Sequence, residues 1–356
     1  MPPGEATMHA NIILPLLSSG VSFLFAALVM AQWKRKHRAF QHVWAIGLIW
    51  YGVSSGTEFL GSAIGWTEGL YRTWYLIGAF FVAAWLGMGT MYLLAKTRFG
   101  YFVAFAIFVG GLFSPLSQLA AIRDGKPAPW WVVFTVIGIC AAAALLIAVL
   151  TARARPWAAH ATLALLVAAS LLVTVLVFTA HVDAPGYALA PITGAPVGTA
   201  MPGYLRVQTG PFNIAGAFTL VFGAVYSFFI YMPKRKVIPM RLRVPVIGPL
   251  YGVAAVTVNL IASLPGAVAD LFRGKLRSRV PATLLIALGG FVPSITSGLN
   301  RFGITWAFFL GELVGVVCIF AGFLVSEEVF ASVSLRLGRL TLVRHDDAEP
   351  AVQVIP

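Results

Sequence analysis

Two glutamates that lie inside strongly apolar stretches are the strongest candidates for chemistry in this sequence. Glu312 lies within the run 311–315, in the second half of an apolar hairpin that extends from Pro281 to Phe330. Glu58 lies near the end of an earlier apolar stretch. A carboxylate in hydrocarbon is energetically costly, so both side chains must face protein or water. Such a site could bind a cation, a proton or the polar head of an amphiphile.

Four more polar side chains are predicted near the same side of the membrane as Glu58. They are Arg72, His181, Asn300 and Arg301. One interpretation is an outward-facing polar chamber with Glu312 at its base, Glu58 higher up, and Arg72 or Arg301 as the counter-charge. Glu312 would lie about 14 Å below the polar corner at 297–301, at 1.5 Å of rise per residue. The alternative is that the glutamates are hydrogen-bonded packing partners between helices and that the arginines are interfacial anchors.

The composition requires many apolar helices to position these residues. The chain has 356 residues, of which 59% are hydrophobic and only 10% are charged. Soluble proteins carry roughly 25% charged residues, so this chain cannot cover a water-facing surface. The prediction is an all-α, polytopic helical bundle in a membrane. One domain is expected over residues 1–330, and a partly disordered cytoplasmic tail is expected over 331–356.

Spans of about 20 apolar residues divide the chain into about nine membrane helices. The first seven are predicted at Asn11–Ala31, Val43–Gly65, Thr73–Ala95, Tyr101–Ile122, Trp130–Thr151, Ala158–Ala180 and Phe212–Met232. The last two form the hairpin that carries Glu312. Pro115 predicts a kink in the fourth span. The range 244–272 contains three prolines, and it either re-enters the membrane, which leaves nine spans, or crosses it, which gives ten.

The net charge of +13 comes from short basic clusters between the apolar segments. This is the pattern of cytoplasmic loops in a cell membrane, and it argues against nucleic-acid binding. The clusters predicted to contact anionic lipid headgroups are Lys34, Arg35 and Lys36, then Lys234, Arg235 and Lys236, then Arg273, Lys275, Arg277 and Arg279. The N-terminus is then outside and the C-terminus cytoplasmic, most simply in a bacterial cytoplasmic membrane. The proline-rich loop at 181–211 is expected to pack on the outer face.

Known cofactor and enzyme signatures do not fit this sequence. A retinal protein needs a lysine buried in the membrane, yet every lysine lies in or beside a predicted loop. His160 and His181 lie at opposite ends of one segment, which argues against a bis-histidine haem. The sequence contains no HExxH, GxSxG or Walker A pattern. We therefore predict no cofactor, no metal and no enzymatic activity.

These observations leave three functional alternatives. The first is a transporter or binding protein for a small solute, an ion or a lipid, with the polar chamber as its site. The second is an accessory or structural subunit of a larger membrane complex. The third is a component of a membrane sensor.

Overall fold

The computed structural model describes residues 3–191, 193–231, 237–239, 251, 254–255, 257–259, 261–263, 265–266, 285–293, 295–296 and 306–325. The basic clusters at 234–236 and 273–279, the corner that contains Asn300 and Arg301, and the tail at 331–356 lie outside these residues. Most of the range 244–272 also lies outside them, so the choice between a crossing and a re-entrant segment stays a prediction.

The described residues form helices joined by short turns and one long loop, and no strand occurs among them. The eight long helices are α1 (Pro3–Lys36), α2 (Ala39–Ile64), α3 (Glu68–Leu93), α4 (Gly100–Arg123), α5 (Trp130–Arg153), α6 (Arg155–Thr179), α7 (Thr209–Tyr231) and α8 (Trp306–Val325). The predicted all-α architecture is confirmed for this part of the chain.

Six of these helices are long and apolar enough to cross a membrane, judged by length and composition. They are α1, α3, α4, α5, α6 and α8. They indicate a membrane protein, whereas the predicted count of about nine spans is not confirmed. The helix α2 is not one of these six. It lies between α1 and α3, where it buries Gln41, Ser54, Ser55, Thr57 and Glu58.

Successive helices run in alternating directions, so the turns collect at two ends of the bundle. One end, which we call the basic end, carries the exposed Lys34, Arg35 and Lys36 at the end of α1, and then Lys96 and Arg98. The opposite end carries the long loop at 181–208, which we call the cap loop. The α5–α6 hairpin buries the smallest share of its residues. Its apolar outer surface therefore suits contact with lipid.

Two helices depart from regular α-helical geometry where the sequence or the packing requires it. The helix α4 is interrupted at Phe113, between Leu112 and Ser114, next to the proline that predicted a kink. In α3, residues Ile77–Phe81 form a turn of π-helix. An added Cβ on Gly78 in this turn would lie 3.0 Å from the hydroxyl oxygen of Ser54 on α2. The π-turn therefore lies where α3 and α2 are in close contact.

Small residues allow other helices to approach one another closely. An added Cβ on Gly216 of α7 would lie 2.3 Å from the carbonyl carbon of Ala83 on α3. The reciprocal position, Gly87 of α3, would bring a Cβ to 2.7 Å from the Gly216 carbonyl oxygen. Close backbone contact of this kind is a common source of helix association in membranes.

The cap loop is an ordered layer on one end of the bundle. It includes a bridge between Leu189 and Pro196, a 3₁₀ turn at Gly198–Ala200 and a one-turn helix at Gly203–Arg206. Its residues Met201, Leu205 and Val207 are completely buried. The expectation that the proline-rich loop packs on one face of the bundle agrees with this arrangement. The helix α7 begins at Thr209, two residues before the predicted end of the loop.

Ion pairs fasten the cap loop to the turn between α4 and α5. Arg206 donates to Asp124 at 2.6 Å, and Lys126 pairs with Asp183 at 3.0 Å. Partial burial alone would raise the pKa of Asp124, but the hydrogen bond from Arg206 and its charge outweigh this effect and lower the pKa below its ordinary value of 3.8. The hydrogen bond from Lys126 and its charge likewise lower the pKa of Asp183.

Candidate functional site

The two glutamates singled out in the sequence are neighbours in the structure. Glu58 on α2 and Glu312 on α8 lie within hydrogen-bonding reach of one another through their side chains. Each glutamate is six residues from the end of its helix on the cap side. At 1.5 Å of rise per residue, the carboxyl pair lies about 9 Å inside the bundle from that end. The sequence placed Glu58 above Glu312, whereas the structure brings them to one level.

Two aromatic side chains hold the carboxyl pair in place. The indole N–H of Trp74 on α3 donates to Oε1 of Glu58 at 2.7 Å. The hydroxyl of Tyr51 on α2 donates to the backbone carbonyl of Glu312 at 2.8 Å. The first contact fixes the rotamer of Glu58 and the second ties α2 to α8. Three helices therefore converge on the pair.

The carboxyl pair is enclosed and incompletely satisfied. Glu58 is completely buried, and its Oε2 atom has no hydrogen-bond partner among the described residues. The Oε2 atom of Glu312 is also buried and without a partner in this part of the chain. An unsatisfied buried polar group costs about 1–3 kcal/mol, and more when it is charged. The arrangement therefore favours the binding of a proton or a small cation between the two carboxyl groups.

No described lysine or arginine forms an ion pair with either glutamate. Arg72, which the sequence proposed as a counter-charge, is engaged elsewhere. Its guanidinium binds Glu68 at 2.6 Å and donates to the carbonyls of Val177 and Ala180 at the end of α6. Arg72 is 8% exposed, so these contacts hold α3 to α6 inside the cap end.

The remaining predicted site residues do not join the pair in the described structure. His181 is exposed just beyond the end of α6. Asn300 and Arg301 lie outside the described residues. Among the described residues, the structure brings together only Glu58 and Glu312 of the predicted constellation, and Arg72 serves as a helix-end donor. The predicted roles of Asn300 and Arg301 stay predictions.

The tip of the cap loop lies over the helix ends next to the pair. Ala195 is completely buried in a cluster with Phe308 and Phe309 of α8, about one turn from Glu312. The side chain of Asn11, on α1, donates to the carbonyl of Thr193 in the same tip. The tip of the cap loop thus contacts both α1 and α8 at the end of the bundle that is nearer the carboxyl pair.

Several residues around the pair were not recognised as site residues from the sequence. Trp74 belongs to an aromatic run that is typical of lipid contact or core packing, yet its indole N–H is used by Glu58. The hydroxyls of Ser18 and Ser55 are buried and have no partner among the described residues. A usable signal was the polar run at 54–58 in α2, because four buried polar side chains so close together in a largely apolar helix require an internal partner.

The described residues contain no group of three His, Cys, Asp or Glu side chains that could hold a metal ion. Glu58 is the only completely buried acidic residue in the part of the chain that the structure describes. Comparison of the chain with protein-family models, curated proteins and solved structures gave no match.

Proposed function

We propose that this chain is a membrane transporter or binding protein for an ion or a small solute, in which the Glu58–Glu312 pair binds an exchangeable proton or a small monovalent cation. The observation that carries the proposal is the pair itself, in which one buried oxygen of each carboxyl group accepts no hydrogen bond from any donor group among the described residues. Two adjacent carboxylates repel one another in a low-dielectric interior unless a positive charge joins them. A proton or a cation supplies that charge.

The surroundings of the pair support this proposal over a purely structural role. A turn of π-helix at Ile77–Phe81 follows Trp74, the donor to Glu58. Such turns occur frequently at functional sites because they interrupt the regular hydrogen bonding of a helix. The pair also joins α2 to α8, so a change in its charge would alter the contact between these two helices. Binding and translocation, and not a covalent reaction, form the activity that we propose.

A hydrophobic carbodiimide tests the proposal, because this reagent modifies protonated carboxyl groups in apolar surroundings. We expect a covalent adduct on Glu58 or Glu312 in membranes, found by mass spectrometry of the peptides. Replacing both glutamates, by Glu58→Gln and Glu312→Gln together, should reduce the adduct at least tenfold, whereas Asp183→Asn, which changes an exposed carboxylate, should leave it unchanged. Protection by sodium, potassium or lithium would identify a cation, and loss of the adduct at high pH without protection would identify a proton.

If the pair binds a proton or a cation for transport, the flux of that ion across a membrane should depend on the pair. Purified protein in liposomes with a trapped pH indicator should move protons, or a protecting cation, at a rate that Glu58→Gln lowers to the background. The proposal is wrong if the wild type gives no adduct, and equally wrong if the flux is the same in wild type and variant.

The orientation of the chain and its lipid partners also belong to this proposal. The described carboxylates lie at the cap end or near it, whereas exposed basic residues such as Lys34, Arg35 and Lys36 lie at the other end. This asymmetry supports a cytoplasmic position for the basic end, in contact with anionic headgroups, in a bacterial cytoplasmic membrane.

An accessory subunit of a larger membrane complex is the second candidate function, supported by the exposed apolar surface of α5 and α6. Protein subunits that co-purify at a fixed ratio would favour it.

A further inference from the structure

One face of α2 carries three buried positions that alternate between polar and apolar side chains. Gln41 is 0% exposed, Leu48 is 1% exposed and Ser55 is 1% exposed. They are spaced seven residues apart, so they lie on the same side of the helix at intervals of about 10 Å. Glu58 follows Ser55 after nearly one more turn and lies about 60° around the helix from it. The face therefore extends from the basic end of the bundle to Ser55, and the carboxyl pair lies beside its end.

The two polar positions on this face are both unsatisfied. The amide nitrogen and the amide oxygen of Gln41 have no hydrogen-bond partner among the described residues, although the side chain is completely buried. The hydroxyl oxygen of Ser55 is also without a partner in this part of the chain. A buried amide with a free donor and a free acceptor is unfavourable unless a ligand satisfies both. Water or a hydrated proton has the chemistry to do so.

The level of Leu48, between the polar positions, is apolar on every side. A small cavity there is lined by Phe25, Trp44, Leu48, Leu86, Leu220, Ile286, Ile319 and Phe323. The indole N–H of Trp44 donates a hydrogen bond to the Leu86 carbonyl at 3.1 Å, so it is not available as a donor to this cavity. Apolar constrictions of this kind exclude water and block the passage of ions.

The neighbouring helices repeat the same change from polar to apolar. On α1, the completely buried Ser18 and Ser22 precede Phe25. On α8, Glu312 precedes Ile319, two turns further along. The buried side chains of α1, α2 and α8 therefore change from polar to apolar in the same direction along the bundle. This gives a polar layer at the carboxyl pair and an apolar layer next to it.

We propose that Gln41 is the inner polar site of a path for protons or small cations that follows this face of α2 as far as Ser55 and then reaches the Glu58–Glu312 pair beside it. The apolar layer at Leu48 is the closed gate between the two sites. Gln41 holds water at the basic end, and the path conducts when the layer opens and becomes hydrated. This inference rests on the function proposed for the carboxyl pair.

Polar substitution of the apolar layer tests the gate. In liposomes with a trapped pH indicator and an imposed potential, Leu48→Asn should raise passive proton flux at least tenfold over the wild type. Ile319→Thr should act in the same direction, and it keeps the branched shape of the side chain in case Leu48→Asn does not fold. Ile147→Thr is the matched control, because Ile147 is also a buried isoleucine but lies in the cluster between α4 and α5. Its flux should equal that of the wild type.

A second substitution places Gln41 in the path. Gln41→Leu, added to the more permeable of the Leu48→Asn and Ile319→Thr variants, should reduce the raised flux at least fivefold, because the inner water site is then lost. The inference is overturned if folded Leu48→Asn and Ile319→Thr both conduct like the wild type. It is equally overturned if the leak is unaffected by Gln41→Leu. Carbodiimide labelling that depends on Glu58 would then still support the proposed function, so the two failures are distinguishable.

Discussion

The two ion pairs that fasten the cap loop allow a direct test of how burial sets the strength of an ion pair. Arg206–Asp124 and Lys126–Asp183 both join the loop to the turn between α4 and α5. The side chains of the first pair are 13% and 18% exposed, whereas those of the second are 32% and 74% exposed. The substitutions Asp124→Ala and Asp183→Ala remove equivalent carboxylates from the two pairs. We expect very different consequences for the stability of the cap loop.

Removal of Asp124 leaves the guanidinium of Arg206 buried without its carboxylate. One nitrogen of Arg206, Nη1, is already buried without a partner in the described structure. Breaking a fully buried pair costs 3–5 kcal/mol, and the partial exposure of these side chains reduces the expected cost to about 2 kcal/mol. Opening of the cap loop should then become roughly thirtyfold more frequent, since each 1.36 kcal/mol is a factor of ten. Asp183→Ala should have a small effect, because water already screens that pair.

Amide hydrogen exchange of the protein in lipid nanodiscs measures this difference. The amides of Leu205 and Val207, which donate within the cap loop to Pro202 and Gly203, are suitable reporters. Their exchange should accelerate roughly thirtyfold in Asp124→Ala and less than about threefold in Asp183→Ala. Equal acceleration in the two variants, or no acceleration in either, would show that burial does not decide the strength of these ion pairs.

Three further predictions concern stability. Arg72→Gln should lower the free energy of unfolding of the purified protein by about 2–3 kcal/mol, because the carbonyls of Val177 and Ala180 lose a charged donor. The melting temperature should then fall by several degrees. Gly216→Ala should lower the yield and melting temperature sharply, since its Cβ would clash with α3, whereas Gly138→Ala, where nothing lies within 4 Å, should be neutral or slightly stabilising. The lowered pKa of Asp124 means that its stabilisation is present at neutral pH and lost in acid, so the difference in melting temperature between the wild type and Asp124→Ala should shrink below about pH 4.

The sequence was sufficient to predict the all-α architecture and the positions of the long helices that the structure describes, because each follows from a long apolar run, whereas the predicted count of about nine spans is not confirmed. It also selected the two glutamates, because a carboxylate in an apolar run needs an internal partner. It could not predict that the partner of each glutamate is the other. Depth along a helix can be counted from its end, but the contact between α2 and α8 depends on how distant segments pack.

The cap loop shows a second limit of prediction from sequence. Proline and glycine at high density indicate a loop, but they do not show which of its side chains are buried. Arg206 reads as an exposed cation in such a segment, yet it forms a buried ion pair with Asp124. The same limit applies to Arg72, whose use as a donor to the end of α6 depends on the packing of α3 against α6.

The choice between a binding role and a packing role for the glutamates depends on what each oxygen contacts. A carboxyl group that serves only to hold two helices together should have both oxygens engaged, as Asp124 has with Arg123 and Arg206. Glu58 is completely buried and uses one oxygen for Trp74, while the other has no partner in the described structure. The desolvation of that oxygen is compensated only when a proton or a cation joins the two carboxyl groups, and exchange of that proton or cation is what separates a binding role from a packing role.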